Sequence, residues 1–195
     1  LHKRYAMRLQ APRAIIDFTT KDIYGEPIQL SAFKGKKVML CFFRDAACPF
    51  CNFRVYELTH RYKEWQKDNV EVIAVFSSTN DEVRNYVARH PRPFRLVADP
   101  DLEIYNRYGV EHSGFALFKA LLFKLPRIFM GMKKGGYPSK NPNVKLVPAD
   151  FLINEKGHIV DCWYGRDTSD HMPMKQVQRF IQAPGAENPS IKRVA

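Results

Sequence analysis

The run Lys37-Val-Met-Leu-Cys-Phe-Phe43 has no polar residue after its first, and it leads within five residues to Cys48-Pro-Phe-Cys51. A strand apolar on both faces has to be covered from both sides, the situation of a central strand between layers of helices. Val70-Glu-Val-Ile-Ala-Val-Phe76 is a second strand of the same kind. Between them, residues 49–68 place Val55, Leu58, Tyr62 and Trp65 at intervals of three and four, one apolar stripe on an amphipathic helix.

Further along, residues 81–90 carry Val83, Tyr86 and Val87 and stop at Pro91, and residues 101–108 carry Leu102, Tyr105 and Tyr108 before Gly109. Phe151-Leu-Ile-Asn154 and His158-Ile-Val-Asp-Cys-Trp-Tyr164 flank a short Gly-containing turn and predict an antiparallel hairpin. A last helix is expected over about 173–181. This order predicts an α/β fold: a mixed central sheet with helices on both faces. A single domain over 1–195 is expected, its core at about 11–111 and 147–182, with an insert at 112–146 and a tail at 183–195.

The cysteine pair carries the chemistry. Two Cys at i and i+3 on the first turn of a helix can close a small disulfide. The free N–H groups of that turn stabilise a thiolate at the first sulfur. Pro49 fits the first helical turn, where its missing N–H costs nothing. Helix amino ends are where thiol pKa values fall, and the thiolate is the reactive form. Arg44 should lower the Cys48 pKa further, whereas Asp45 should oppose it. A Cys-x-x-Cys is also half of a zinc site, but structural zinc usually takes a second pair, and only Cys41, Cys162 and scattered His remain. Inert packing is the other alternative, and the strand-to-helix turn argues against it. The residues favour redox chemistry and call for no cofactor and no metal. Cys41, inside an apolar strand, reads as a small buried hydrophobe. For Cys162 packing is the first reading and a resolving role the second. Asp167 to Pro173, with His171, reads as helix capping, contact with the active site being the other reading.

Several segments then resemble a known family: Ala11-Pro-Arg-Ala-Ile-Ile-Asp-Phe18, Asp22-Ile-Tyr-Gly25, Leu30-Ser-Ala-Phe-Lys-Gly35, Phe42-Phe43 before the Cys, Asp99-Pro-Asp101, Tyr108-Gly-Val110, Phe151-Leu-Ile-Asn-Glu-Lys-Gly157 and Tyr164-Gly-Arg. In this order they resemble the thioredoxin-fold redoxins, more narrowly the peroxiredoxin-like alkyl hydroperoxide reductase/thiol-specific antioxidant (AhpC/TSA) group. The resemblance implies a thioredoxin-like fold with Cys48 as the attacking thiol. It implies a disulfide or hydroperoxide substrate, Cys51 as the resolving thiol, and a thioredoxin- or glutaredoxin-type reductant. Where peroxiredoxins carry Pro and Thr before this Cys, the chain has Cys41 and Asp45. Where they carry Arg before the later strand, it has Pro148. Pro148-Ala-Asp-Phe-Leu-Ile-Asn instead resembles the cis-proline segment of thioredoxin-like disulfide oxidoreductases, which implies that Pro148 shapes a substrate groove. Disulfide exchange is thus favoured over peroxide reduction. The alternatives are a true thiol peroxidase and a non-catalytic redox-sensing or metal-binding module.

Seven of the eleven net positive charges fall between His112 and Ala149, a stretch without a single acid. Within the insert, residues 115–130 read as a cationic helix with Phe and Leu opposite the charge, and the stretch 115–134 as the contact surface. Such a helix serves as a lid, a homodimer contact, a peripheral membrane contact or a site for an acidic partner. No nucleic-acid motif accompanies the charge, so nucleic acid is not expected. The amino end lacks an apolar core and does not read as a secretory signal, although a leader could have been trimmed. The expected location is cytoplasmic, with the membrane surface as the variant the insert allows.

Overall fold

A computed structural model describes residues 7–110 and 146–184. The helix expected at 115–130, the rest of the 112–146 insert up to 145, and the tail beyond 184 lie outside the described residues. Among the described residues eight strands are formed: β1 (Arg13–Ala14), β2 (Thr19–Lys21), β3 (Pro27–Gln29), β4 (Lys37–Phe43), β5 (Val70–Phe76), β6 (Arg95–Ala98), β7 (Ala149–Ile153) and β8 (His158–Tyr164). Six of them make one sheet in the order β1-β8-β7-β4-β5-β6, and β2 pairs with β3 in a separate hairpin. Strand β4 runs parallel to β5 and antiparallel to β7, so the sheet is mixed, as the sequence predicts.

All seven residues of β4 are buried. Its side chains divide between two cores, one on each face. Met39, Cys41 and Phe43 pack with Val55, Leu58, Trp65, Val177 and Phe180 on one side. Val38, Leu40 and Phe42 pack with Tyr105, Tyr108, Phe151 and Cys162 on the other. The first face is covered by α1 (Pro49–Trp65) and α4 (Met174–Gln182), and the second by α3 (Glu103–Arg107). The expected α1 stripe is buried at all four positions, Val55, Leu58, Tyr62 and Trp65. Each large apolar side chain enclosed in this way stabilises the fold by about 1.5–3 kcal/mol. The Trp65 indole donates to Gln178 Oε1 at 2.8 Å, and Lys37 Nζ donates to the Ile181 carbonyl at 2.6 Å, which ties α4 to α1 and β4.

Several expected elements differ in extent. The helix expected at 81–90 begins as α2 (Asn80–Glu82), held by a Thr79–Glu82 capping box, and continues as a π-helical turn over Val83–Val87. The helix expected at 101–108 shortens to Glu103–Arg107 because Leu102 adopts a left-handed conformation at its start. The Asp99 carboxylate serves as its cap, accepting from the N–H groups of Glu103, Ile104 and Tyr105. Strand β6 was not expected: Arg95 and the nearby prolines hide a short apolar run that pairs parallel to β5. Gly109, at φ +64°, closes α3 as its position suggests.

Candidate active site

Strand β4 ends at Phe43, and five residues later Cys48 stands in extended conformation as the residue capping α1, with Pro49 at the first helical turn. The turn between them is held rigidly. Ala47 N donates to Asp45 Oδ1 at 3.1 Å, and Ala46 N donates to Ser78 Oγ at 3.0 Å. The Ser78 hydroxyl in turn donates to Asp45 Oδ1 at 3.1 Å, and the Ser77 hydroxyl donates to the Arg44 carbonyl. Asn52 reaches back from α1, its Nδ2 donating to the carbonyls of Ala46 at 2.6 Å and Cys48 at 3.1 Å. These buried partners fix the backbone that presents Cys48. Ser77, Ser78 and Asn52 carry no motif that sequence reasoning could have singled out.

The two sulfurs are electrostatically unequal. Burial pushes the Cys48 thiol up, but the Cys51 thiol, the Arg44 guanidinium and the Cys51 backbone N–H together overcome it. The Asp45 carboxylate opposes them, and the Cys48 pKa settles lowered to about 6. Burial and the adjacent Cys48 sulfur push Cys51 well above the ordinary thiol value. Arg44 is itself buried; burial works against its charge, and Cys48, Cys51 and Asp45 more than offset that. The sequence expectation for Cys48, Arg44 and Asp45 therefore agrees in sign with the structure. All four cysteines are free in this structure. The Cys48 residue is wholly buried and Cys51 almost so. The thiolate is ionised and covered at once, whereas the chemistry read from the sequence needs it within reach.

Pro148 corrects the sequence reading. The cis peptide among the described residues is Ala11–Pro12, and the Val147–Pro148 bond is trans. Pro148 leads directly into β7, and its carbonyl accepts from Gly165 N at 2.8 Å, continuing the ladder by which β7 pairs with β8. It is an extended residue opening a strand, a position proline tolerates. Its neighbour Ala149 pairs with Phe42, which puts Pro148 at the same end of β4 as the cysteine turn.

His171 is the second correction. Rather than capping a helix, its Nδ1 lies 3.0 Å from Asp150 Oδ2 and 3.2 Å from Oδ1. Asp150 is wholly buried in β7 opposite Cys41, and Met172 N donates to it at 2.7 Å. Burial alone would raise the Asp150 pKa. His171 above all, then Arg54 and the Met172 N–H, hold it below the usual carboxylate range instead. Arg54, also buried, donates from Nη2 to the Met172 carbonyl at 2.8 Å. Burial and Asp150 push the Cys41 thiol well up, consistent with its reading as an inert core residue. The signal missed in the sequence was a lone acid inside the apolar run Val147 to Ile153. Cys162 lies in the core on the opposite face of the sheet from the pair, its Sγ donating to the Leu9 carbonyl at 3.4 Å. That favours packing over a resolving role. Among the described residues no three His, Cys, Asp or Glu gather as a metal site needs, and no helix is long and apolar enough to cross a membrane.

A profile of the AhpC/TSA family matches residues 11–162. A chloroplastic peroxiredoxin Q of Sedum lineare is 28% identical over 98 residues, covering 50% of this chain and 53% of that protein. The thiol-disulfide oxidoreductase ResA of Halalkalibacterium halodurans is 30% identical over 102 residues, covering 52% of this chain and 57% of that protein. The chain thus spans little more than half the length of these two curated relatives. A crystal structure of a putative thiol:disulfide interchange protein DsbE from Chlorobium tepidum superposes with a TM-score of 0.60 over 89% of this chain and 96% of that one, at 18% identity. This likeness shows that the fold is of the thioredoxin type.

Proposed function

From a chain that belongs to the AhpC/TSA family, we propose a thiol-based oxidoreductase that works by disulfide exchange at Cys48 and Cys51. The observation that carries this reading is the split between the two thiols, one lowered to about 6 and its neighbour raised well above the ordinary value. A thiolate and a thiol held side by side at a helix start form an attacking and a resolving pair.

The reaction proceeds in two displacements. The Cys48 thiolate attacks a substrate disulfide, forms a mixed disulfide and expels the first substrate thiolate. Cys51 then loses its proton and attacks the Cys48 sulfur, closing the Cys48–Cys51 disulfide and expelling the second substrate thiolate. Two electrons pass from the cysteine pair to the substrate. A dithiol reductant of the thioredoxin or glutaredoxin type restores the pair by the same exchange in reverse.

Peroxide reduction is the competing reading, supported by the peroxiredoxin Q relatives. Asp45 argues against it. The position where peroxiredoxins carry a Thr holds a buried carboxylate that raises the Cys48 pKa and accepts from Ala47 and Ser78. A carboxylate there repels the developing charge of a peroxide oxygen. The test compares disulfide reduction with hydroperoxide consumption on the whole protein. Disulfide turnover should dominate and vanish in Cys48→Ser, while Cys51→Ser should stall as a mixed disulfide. Faster hydroperoxide turnover that survives in Cys51→Ser would overturn the reading in favour of the peroxidase.

A further inference from the structure

Helix α1 buries one stripe in the core and lines a groove with another. Phe50, Arg54, Glu57 and Arg61 recur at intervals of four, three and four, with Phe53 beside them, so they form one line along the helix. Two clefts open along that line. The first, of about 320 Å³, begins at Phe50 and Phe53 and is walled opposite by Met172, Pro173 and Met174. The second, of about 360 Å³, lies between Arg61 and the α4 residues Lys175, Gln178 and Arg179, and Met174 lines it too. With Met174 common to both, they make one groove between α1 and α4. From position 50 to position 61 the helix rises about 16 Å, the span of about five extended residues.

The two ends of this groove differ in charge. At the redox end each carboxylate has a cation: Glu57 lies 3.6 Å from Arg54, and Asp170 lies 3.2 Å from Arg166. At the far end Arg61, Lys175 and Arg179 are exposed, and no carboxylate lines the cleft. Among the described residues none of these three cations is in an ion pair. Helix α4 contains no acid from end to end. The far end is also held in place. The Trp65 indole donates to Gln178 Oε1 at 2.8 Å, and Arg179 Nε donates to the Lys175 carbonyl at 3.3 Å. The aliphatic stems of the cations supply apolar wall and carry the charges at the rim. Neither cysteine lines the groove, but Phe50, which stands between them in the chain, is where it begins. The groove therefore suits the chain that flanks a partner's disulfide, not the sulfurs themselves.

We propose that the groove between α1 and α4 docks a polypeptide segment of the disulfide partner, apolar next to its cysteine and acidic about five residues away. The inference rests on the disulfide-exchange reading above and adds the class of partner it acts on. Phe50, Phe53 and Met174 receive the apolar residues, and Arg61, Lys175 and Arg179 receive the carboxylates. The charges select the occupant: an acidic segment meets three unpaired cations, whereas a basic one meets like charge. A bilayer presents a flat anionic surface, which does not enter a concave groove. A second copy of this chain, at a net charge of +11, brings more positive charge than negative.

Two peptide disulfides test this on the reduced full chain. Both carry an apolar residue beside the cysteine; one has Glu and the other Gln at about the fourth to sixth positions on either side. The readout is the ratio of their exchange rates, in which a loss common to both cancels. The Glu peptide should react about tenfold faster at low salt, the effect of a few surface ion pairs. In about 1 M salt, where charges are screened within about 3 Å, the ratio should fall toward unity. Replacing Arg61, Lys175 and Arg179 together by Gln should abolish the preference at low salt. Lys63→Gln with Lys67→Gln, exposed cations outside the groove, should leave it unchanged, which separates this site from net charge. Equal rates in the wild type, or a preference that survives the triple substitution, overturn the proposal and leave disulfide exchange standing. The Glu peptide with Ser in place of its cysteine, followed by fluorescence anisotropy, reads docking without exchange. If it binds the wild type and not the triple variant while neither disulfide reacts, the docking stands and the exchange reading fails. If the triple substitution instead removes sedimentation with phosphatidylserine vesicles, or a dimer, and leaves the peptide ratio intact, the groove belongs to that occupant and the proposal is overturned.

Discussion

At the residue scale, the chemistry turns on how Cys48 keeps a negative charge inside a protein. Burial of an isolated thiolate is costly, because the low-dielectric interior favours the neutral form. Here a thiol donor, a backbone N–H and a guanidinium converge on one sulfur and outweigh both burial and Asp45. Arg44 supplies the full charge among them. Replacing it with Met keeps the aliphatic stem and removes the charge, so the Cys48 pKa should move upward toward the ordinary thiol value. Alkylation rate followed against pH should show a midpoint about 6 in the wild type and a higher one in Arg44→Met. The sign follows from the acid: losing a cation disfavours the anion, so a higher pH is needed to form it. A midpoint left unchanged would mean that the helix start and Cys51 alone hold the thiolate.

At the scale of elements, the site is assembled where three segments end together. The β4 end carries the cysteine turn, the start of β7 brings Pro148 and Asp150, and the loop after β8 brings His171 back over them. Gly165 is where that loop leaves the sheet. A Cβ at this position would lie 2.7 Å from the Asp170 carbonyl oxygen and 2.9 Å from that of Pro148. Both obstacles are backbone, so relief requires the loop or the strand to shift. Gly165→Ala should therefore destabilise the fold by about 1–3 kcal/mol, the usual range for overpacking. Chemical denaturation checks the stability. The same shift would pull His171 from Asp150, while the Cys48 midpoint should stay put.

At the scale of the whole molecule, the sheet separates tasks. One face carries the cysteine pair, α1, α4 and the Asp150–His171 pair, while the other packs aromatics around Phe42 and Phe151. Tyr105 links the layers from below, its hydroxyl donating to the carbonyls of Phe43 and Val75. The thiolate at the centre of this arrangement is fully covered. Its reactivity toward a reagent is then set by how often the cover opens as well as by its charge. Iodoacetamide should alkylate Cys48 more slowly than an exposed thiol of the same pKa. The rate should rise in urea below the unfolding transition. Alkylation as fast as at an exposed thiolate in buffer alone would contradict the burial seen here.

The sequence by itself determined the mixed α/β sheet, because β4 and β5 are apolar on both faces and α1 on one stripe, patterns that only that layering satisfies. It also determined the cysteine pair, since a helix start changes the pKa of a sulfur through local backbone alone. Arg44 and Asp45 were legible for the same reason: they lie within four residues of Cys48 and act through space along a short turn. The tertiary structure alone decided the rest. Asp150 and His171 are 21 positions apart and meet only because β7 pairs with both β4 and β8, bringing the following loop back across the strand. The geometry at Pro148 was decided by the ladder it enters, and the burial of Cys48 is not legible in its local sequence. Local chemistry is written in neighbouring residues; partnership across a sheet is written in register, which no single segment carries.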